Sequence, residues 1–237
     1  MKNSPTERTV PVEGHGPTTA LLYPAAGGRA GATLVLAHGA GAGQRSAFMV
    51  DTARALAALG LDLVTFNFLY TERGRRLPDR PPVLEACWRA VIDAIAPSAG
   101  RPLFIGGKSM GGRIATQVAA SDAGLPLAGL VLLGYPLHPP GRPDKRRDAH
   151  LPSVERPMLF VQGSRDTFGT PAELEPVLRT LAPTPALHVV EGGDHSFKLS
   201  RKNPAAQALV YAGIQETIVS WIRAVIGTGA PSLRRWS

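Results

Sequence analysis

Short apolar runs that recur along the chain constrain its fold more than any other feature of the sequence. Most of them are apolar at consecutive positions, which is typical of strands buried on both faces of a sheet. The runs cover residues 20–24, 32–39, 61–68, 102–107, 129–136, 157–163 and 186–193. Patterns with helical spacing lie between them. Strands that alternate with helices predict an α/β fold, with a mostly parallel sheet and helices on both faces.

Three amphipathic segments predict the helices most clearly. Their apolar positions are Met49, Ala53 and Leu56 in the first, Leu84, Trp88, Val91 and Ile95 in the second, and Val210, Ile214, Ile218, Trp221 and Val225 in the third. The first and third segments stop at Gly60 and Gly227, and glycine is the residue that most often closes a helix. We therefore expect three helices that pack their apolar faces on the sheet.

Length and composition predict a single domain. At 237 residues the chain is long enough to bury a large core, and 44% hydrophobic with 19% charged residues is typical of a globular protein. Residues 1–16 and 228–237 are rich in Gly, Pro, Ser and charge, so we expect loosely held ends around a domain over residues 17–227. Residues 138–157 predict an ordered loop with one helical turn.

The cysteine content and the N-terminal sequence indicate the compartment. The single cysteine, Cys87, excludes an intrachain disulfide and fits a reducing environment. It lies on an apolar helical pattern, which predicts a packing role. Residues 1–16 contain no apolar run that resembles a signal peptide, and we find no apolar stretch of membrane-spanning length. We therefore expect a cytoplasmic protein with no membrane partner.

The stretch GGKSMGGR, residues 106–113, has two competing interpretations. A phosphate-binding loop G-x-x-x-x-G-K-[ST] would need glycine at position 102, where Pro102 has no N–H to offer and begins an apolar run. A nucleophile elbow needs G-x-S-x-G between a buried strand and a helix, and Gly107 to Gly111 match it. The apolar run before the motif predicts the strand, and helical spacing after it predicts the helix. Ser109 is therefore the candidate nucleophile.

Partners of Ser109 are expected after later strands, because reactive groups lie beyond the carboxyl ends of strands in an open α/β sheet. Asp166 follows the sixth apolar run and His195 follows the seventh. A serine hydroxyl needs a histidine to accept its proton and a buried carboxylate to orient that histidine. A turn-forming aspartate and a loop histidine are the structural alternatives. Asp194 is the alternative acid, but sequence neighbours rarely face each other across such a site.

An acyl-transfer site also needs N–H donors for the oxyanion that forms on the substrate. Met110, directly after the nucleophile, supplies one, and the loop after the second apolar run supplies the other. We predict Ala40 as this second donor, with Gly41 as the alternative. The same loop does not fit the dinucleotide pattern G-x-G-x-x-G, because Gln44 and Ser46 stand where glycine is required.

The histidines besides His195 show no metal-ligand spacing, so we predict no metal and no other cofactor. His38 is expected to shape the loop that it begins. Lysine and arginine outnumber aspartate and glutamate by 26 to 18, which suggests an acidic partner or substrate. No aromatic residues alternate with the basic runs, and we therefore predict no nucleic-acid partner.

Several motifs together resemble the α/β-hydrolase superfamily over nearly the whole chain: HGAGAG, GKSMGGR, GYPLHPPGRPDK, QGSRDTFG and GGDHSF. The resemblance is to the small branch without a cap that is similar to dienelactone hydrolases and includes predicted hydrolases like testis-expressed protein thirty. It implies an α/β-hydrolase fold with no separate cap domain, and Ser109 as nucleophile, Asp166 as acid and His195 as base. True dienelactone hydrolases have a cysteine nucleophile, so the serine at position 109 argues against dienelactones as the substrate.

These observations predict a serine hydrolase that cleaves a small-molecule carboxylic ester through an acyl-serine intermediate. Thioesters and amides need the same triad, so thioesterase and amidase activities stay open. A binding or scaffold protein that keeps the fold without turnover is the alternative from another class.

The positive charge predicts a preference for small anionic esters. Three basic clusters follow strand ends: Arg73, Arg75, Arg76 and Arg80; Arg142, Lys145, Arg146 and Arg147; and Lys198, Arg201 and Lys202. Their loops are expected to converge at the catalytic edge of the sheet, with the loop over residues 138–157 overhanging the pocket. Solvated loop charge is the alternative interpretation.

Overall fold

The computed structural model describes residues 4–28, 31–200 and 203–228 of the chain. The strands in these residues are β1 (Thr6–Val12), β2 (Gly16–Tyr23), β3 (Thr33–Ala37), β4 (Asp62–Phe66), β5 (Leu103–Lys108), β6 (Gly129–Leu133), β7 (Met158–Gly163) and β8 (Ala186–Val190). The α-helices are α1 (Ala47–Ala58), α2 (Leu69–Glu72), α3 (Pro81–Ala99), α4 (Met110–Ser121), α5 (Pro171–Leu178) and α6 (Pro204–Thr228).

All of these strands form one sheet in the order β1-β2-β4-β3-β5-β6-β7-β8. Strands β1 and β2 pair antiparallel, as do β2 and β4, and every other pair is parallel. The seven apolar runs correspond to β2 through β8, so the predicted mostly parallel α/β sheet is confirmed. Because the parallel strands point the same way, the loops that follow β3, β5, β7 and β8 meet at one edge.

Helices cover both faces of this sheet, as predicted. On one face, apolar side chains of α3, α4 and α5 pack against the sheet, among them Trp88, Ile114 and Leu174. On the other face, α1 and α6 do the same, for example with Leu56 and Trp221. Each central strand sends alternate side chains into the two cores, because successive residues of a strand point to opposite faces.

The N-terminal segment differs from the prediction. Residues 6–12 form β1 and pair along their length with β2, so the expectation of a loosely held segment over residues 1–16 is wrong for this part. Strand β1 buries only Val10 and Val12 and exposes its other side chains, because it lies at the sheet edge. A half-exposed edge strand contains no continuous apolar run. Of the predicted tail over residues 228–237, residues 229–237 lie outside the described residues.

Helix α6 is long and apolar, whereas we expected no apolar stretch of membrane-spanning length. Over Pro204–Gly227 it is the one helix in the described part of the chain that could cross a membrane by length and composition. Its buried residues, however, pack on the sheet, among them Ile214, Ile218 and Trp221. This apolar face therefore contributes to the core of the domain.

The loop over residues 138–157 is ordered, as predicted, and contains a single 3-10 turn at Leu151–Ser153. Its Leu151 and Val154 are buried in the core shared with α4. The hydroxyl of Tyr135 donates a hydrogen bond of 2.7 Å to the carbonyl oxygen of Arg147. These contacts fix the path of the loop across the sheet edge that carries Ser109.

Candidate active site

Ser109 lies in the turn between β5 and α4, with a φ of 50° and a ψ of −115°. A positive φ is uncommon for residues other than glycine, and it projects the side chain away from both flanking elements. The turn lies close to β3: a Cβ atom at Gly107 or Gly111 would lie 2.3 or 2.5 Å from the carbonyl oxygen of Ala37. Glycine at both positions therefore permits the turn.

The structure brings Ser109, His195 and Asp166 together from the ends of three parallel strands. The Ser109 Oγ lies 2.8 Å from the Nε2 of His195, and the Nδ1 of His195 lies 2.8 Å from the Oδ2 of Asp166. With Nδ1–H donating to the carboxylate, Nε2 is free to accept the serine proton. The three side chains form one continuous hydrogen-bonded chain.

The Asp166 carboxylate is fully buried and held by several donors. Its Oδ2 also accepts a hydrogen bond from the Gln162 side-chain amide, and its Oδ1 accepts one from the Phe168 N–H, both at 2.8 Å. The Phe168 ring stacks on the imidazole of His195 with 4.2 Å between ring centroids. Gln162 and Phe168 thus position the acid and the imidazole; both lie in the motif QGSRDTFG, but the sequence had indicated a role only for Asp166.

Asp194, the alternative acid, is engaged elsewhere. Its Oδ1 accepts hydrogen bonds from the backbone N–H groups of Ser196 and Lys198, at 2.7 and 2.9 Å. Its carboxylate therefore closes the turn that carries His195, whereas the Asp166 carboxylate contacts the ring itself.

The residues of the predicted oxyanion donors line the same pocket as Ser109. Met110 begins α4, and Ala40 lies in the loop after β3. A Cβ atom at Gly39 would lie 3.6 Å from the Cβ of Ser109, so this loop packs closely against the nucleophile turn. His38 is buried and holds the loop: its Nδ1 donates to the Gly39 carbonyl at 2.8 Å, and its Nε2 accepts from the N–H of Phe68 at 3.2 Å. Burial lowers the pKa of His38, in keeping with a neutral ring.

The sequence also matches a known protein family. The family described as "Alpha/beta hydrolase domain" matches residues 30–223. The chain belongs to this α/β-hydrolase family.

Solved structures resemble this α/β-hydrolase domain over nearly its whole length. A lidless α/β serine hydrolase from Xanthomonas campestris is 20% identical, with a TM-score of 0.71 over 93% of this chain and 96% of that chain. Est1E from Butyrivibrio proteoclasticus is 13% identical, with a TM-score of 0.71 over 92% and 99%. A dienelactone hydrolase from Anabaena variabilis is 24% identical, with a TM-score of 0.68 over 90% and 97%. These likenesses confirm the predicted fold class.

A pocket of about 870 Å³ opens beside Ser109 in the α/β-hydrolase domain. It lies between the loop after β3, helix α1, the start of α3, and the turns that carry His195. Much of its wall is apolar, with Phe48, Met49, Leu84 and Phe168 among the lining residues. A pocket of this volume holds a small organic molecule, and its apolar walls favour a partly apolar one.

Lys108, next to the nucleophile, is a feature whose environment the sequence did not reveal. Its ammonium group is buried, has no hydrogen-bond partner within the described residues, and lies 5.5 Å from the centroid of the Phe197 ring. Burial lowers the pKa of Lys108 to about 8, against the opposing effect of the negative charges of Asp166 and Asp194. In the sequence, Lys108 stands out only as the lysine that a phosphate-binding loop would need, and that interpretation of residues 106–113 was excluded.

The basic clusters converge on the pocket only in part. Arg147 and Lys198 line it. Arg75, Arg142 and Arg146 instead form ion pairs with the nearby Asp79, Asp144 and Asp148. Arg201 and Lys202 lie outside the described residues. Arg113, which was in none of the clusters, also lines the pocket.

No group of three His, Cys, Asp or Glu side chains in residues 4–28, 31–200 and 203–228 is arranged to hold a metal ion. Cys87 is fully buried, as its helical pattern predicted, and burial raises the pKa of its thiol to about 12.

Proposed function

We propose that this α/β-hydrolase domain is a serine hydrolase that cleaves a carboxylic ester through an acyl-serine intermediate. The single observation that carries the proposal is the continuous chain of hydrogen bonds from Ser109 through His195 to the buried Asp166. A hydroxyl at 2.8 Å from an imidazole nitrogen that a carboxylate orients is suited to nucleophilic attack.

In the acylation step, the Ser109 Oγ bonds to the ester carbonyl carbon while the His195 Nε2 takes the serine proton. The carbonyl oxygen becomes an anion, and the N–H groups of Met110 and Ala40 donate to it. Asp166 stabilises the imidazolium that forms. The tetrahedral intermediate then collapses, the bond to the alcohol oxygen breaks, and His195 returns the proton to the leaving alcohol.

In the deacylation step, a water molecule takes the place of the alcohol. His195 accepts a proton from the water, whose oxygen attacks the acyl carbon. The bond between that carbon and the Ser109 Oγ breaks, the serine recovers its proton from His195, and the carboxylic acid leaves. The enzyme returns to its starting state without a cofactor.

The names of similar structures support an esterase over other hydrolases. One neighbour is an esterase domain from a Rhodothermus marinus protein, and Est1E has been solved with ferulic acid bound. Ester cleavage is also less demanding for such a triad than amide cleavage, because an alcohol leaves more easily than an amine. We propose a small-molecule ester as the substrate and the cytoplasm as the compartment, with no nucleic-acid or membrane partner.

Labelling with a fluorophosphonate probe tests the proposal directly. The folded wild-type protein should form an adduct at Ser109, and Ser109→Ala should not. A panel of matched 4-nitrophenyl esters, thioesters and anilides would then rank the acyl donors, with esters expected to react fastest. A folded wild-type protein with no adduct and no turnover would overturn the proposal and favour a scaffold that retains the fold.

We also propose that esters with a negative charge are preferred. The net charge of +8 and the positions of Arg147 and Lys198 in the pocket wall support this preference. The ion pairs of Arg75, Arg142 and Arg146 show why total loop charge is a poor guide: an arginine paired with a neighbouring aspartate has little charge left for a substrate.

A further inference from the structure

Two arginines that come from different elements of the fold line the pocket. Arg113 lies on α4, and its backbone N–H donates to the carbonyl oxygen of Ser109 at 3.0 Å. It is therefore one helical turn beyond the nucleophile, and residues at this spacing have Cβ atoms about 5–6 Å apart on one side of a helix. Arg147 belongs to the loop over residues 138–157 and lines the same pocket.

The two guanidinium groups are close enough to affect each other. Burial lowers the pKa of Arg113, and the positive charge of Arg147 lowers it further. Tyr135 and Glu85 oppose these effects less strongly. Two like charges at a partly buried site repel each other, and an anion between them would relieve that repulsion.

Two other arginines of this loop have carboxylate partners, whereas Arg113 and Arg147 have none in the part of the chain that the structure describes. Arg142 and Arg146 each pair with an aspartate two residues along the chain. Among the described residues, no carboxylate oxygen lies within 4.0 Å of a side-chain nitrogen of Arg113 or Arg147. The Arg113 Nε is buried without an acceptor, and its Nη1 reaches only the Gln117 amide oxygen, at 3.3 Å.

Hydrogen bonds hold the chain around both arginines in place. The Arg147 N–H donates to the Leu137 carbonyl at 2.8 Å, and the Tyr135 hydroxyl holds the Arg147 carbonyl from the other side. The ring of His150 forms a hydrogen bond of 2.8 Å with the hydroxyl of Thr116, which is also on α4. Burial and the charge of Arg113 lower the pKa of His150 to about 4, so this ring adds no third charge at neutral pH.

The two carboxylates of the described residues that line the pocket, Asp51 and Asp79, form no ion pair with Arg113 or Arg147. Asp79 lies near the start of α3 and is already paired with Arg75. Asp51, on α1, and Lys198, after His195, are both exposed at the pocket edge.

We infer that Arg113 and Arg147 form a subsite for a carboxylate of the substrate, remote from the scissile bond. The inference rests on the proposed ester hydrolysis and specifies its substrate class: an ester with a second, ionised carboxyl group a few bonds from the reacting carbonyl. The planar guanidinium groups offer forked N–H donors that match the two oxygens of a carboxylate.

Matched pairs of esters test the subsite by turnover. In one pair, 4-nitrophenyl hemiglutarate is compared with 4-nitrophenyl pentanoate, so the charge is on the acyl side. In the other, 4-acetoxybenzoate is compared with its methyl ester, so the charge is on the alcohol side. The wild-type kcat/KM should favour the anionic member of at least one pair, and the preference should fall at high salt.

Two substitutions in the same loop provide the variant and its control. Arg147→Gln should lower the ratio of anionic to neutral kcat/KM by about tenfold or more, mainly through KM, as expected for a hydrogen bond to a charged group. Arg146→Gln removes the same charge from an exposed, paired arginine and should leave the ratio within about twofold. Arg113→Lys keeps the positive charge but loses the forked N–H donors of the guanidinium group, so it should also lower the ratio of anionic to neutral kcat/KM. A wild-type ratio near one for both pairs, or a ratio that Arg147→Gln leaves unchanged, would contradict the subsite.

A binding measurement separates this inference from the proposed function. Ser109→Ala protein is titrated calorimetrically with monomethyl glutarate and with dimethyl glutarate. Stronger binding of the monoanion that Arg147→Gln abolishes supports the subsite, even if no ester is hydrolysed. Ester hydrolysis without any such difference in binding overturns the subsite and leaves the hydrolase standing.

Discussion

At the scale of single residues, the contacts of two neighbouring carboxylates assign them different tasks. Asp166 contacts the imidazole of His195, whereas Asp194 accepts backbone hydrogen bonds within its own turn. Asp166→Asn should keep the fold but lower kcat by on the order of 10⁴, because the imidazole loses its orienting acceptor. Asp194→Asn should lower it far less. Steady-state kinetics with the same 4-nitrophenyl ester measure both, and the reverse order would transfer the acid's role to Asp194.

The buried Lys108 predicts a dependence of stability on pH. Its pKa of about 8 in the folded protein lies below the ordinary value of 10.5. Below pH 8 the lysine is charged in both states, so folding bears the full cost of burying the charge. Between pH 8 and 10.5 the unfolded chain binds the proton more strongly than the folded protein, so the free energy of unfolding rises with pH.

Replacing this lysine by an apolar side chain of similar length should remove that cost. We expect Lys108→Met to raise the free energy of unfolding at pH 7 by about 2 kcal/mol, with the gain shrinking as the pH approaches 10. Guanidinium chloride unfolding of both proteins at pH 7, 8, 9 and 10 measures the difference, and other titrating groups cancel in the comparison. A gain that stays constant with pH would show that the lysine does not titrate in this range.

At the scale of the element, the packing of α4 on β3 depends on a glycine. A Cβ atom at Gly111 would lie 2.5 Å from the carbonyl oxygen of Ala37, closer than real atoms approach. Helix α4 would have to move away from the sheet to admit a methyl group. Gly213, in α6, offers a matched control, because a Cβ atom there meets nothing within 4 Å.

The same substitution should therefore have opposite effects in these two helices. Gly111→Ala should lower the free energy of unfolding by about 1–3 kcal/mol or more, since overpacking forces the backbone to shift. Gly213→Ala should raise it by about 0.5–1 kcal/mol, because alanine loses less entropy than glycine when it enters a helix. Chemical unfolding followed by circular dichroism decides between these signs. Equal effects in the two helices would mean that α4 tolerates a wider separation from β3.

At the scale of the whole molecule, one sheet joins two cores. Trp88 is buried in the core beneath α3 and α4, and Trp221 in the core beneath α6. The alternating residues of β6 illustrate the connection: Leu130 and Leu132 belong to the first core, and Val131 and Leu133 to the second. Loss of either core exposes one face of every central strand.

We therefore expect the two cores to unfold together. The sequence has a third tryptophan, Trp236, which is first replaced by phenylalanine so that it does not contribute fluorescence. In that background, Trp221→Phe leaves Trp88 as the fluorescent reporter, and Trp88→Phe leaves Trp221. For each protein, the midpoint from tryptophan fluorescence should coincide with the midpoint from far-UV circular dichroism, as a cooperative transition requires. A fluorescence midpoint that precedes the circular dichroism midpoint in one variant would reveal a core that opens separately.

Local sequence was sufficient for much of the fold and for the candidate nucleophile. Strands β2 through β8 are apolar runs, and the glycines around Ser109 indicate a tight turn, because both signals arise from neighbours within a few residues. The same rules overlooked β1, because most of its side chains are exposed and its pairing with β2 is not visible in the local sequence. They also overlooked α5, eight residues long, although Thr170 and Glu173 form a capping box at its start.

The sequence by itself thus determined the order of strands and helices and the residue types at the strand ends, since each depends on local conformation and on which side chains avoid water. Only the tertiary structure decided which of these residues meet. The sequence favours Asp166 over Asp194 as the acid only by a general rule about neighbours in sequence, and the path of the backbone after β7 and β8 places the Asp166 carboxylate against the imidazole. Lys108 loses its solvent, and Arg113 gains Arg147 as a neighbour, because packing brings together groups that no local pattern connects.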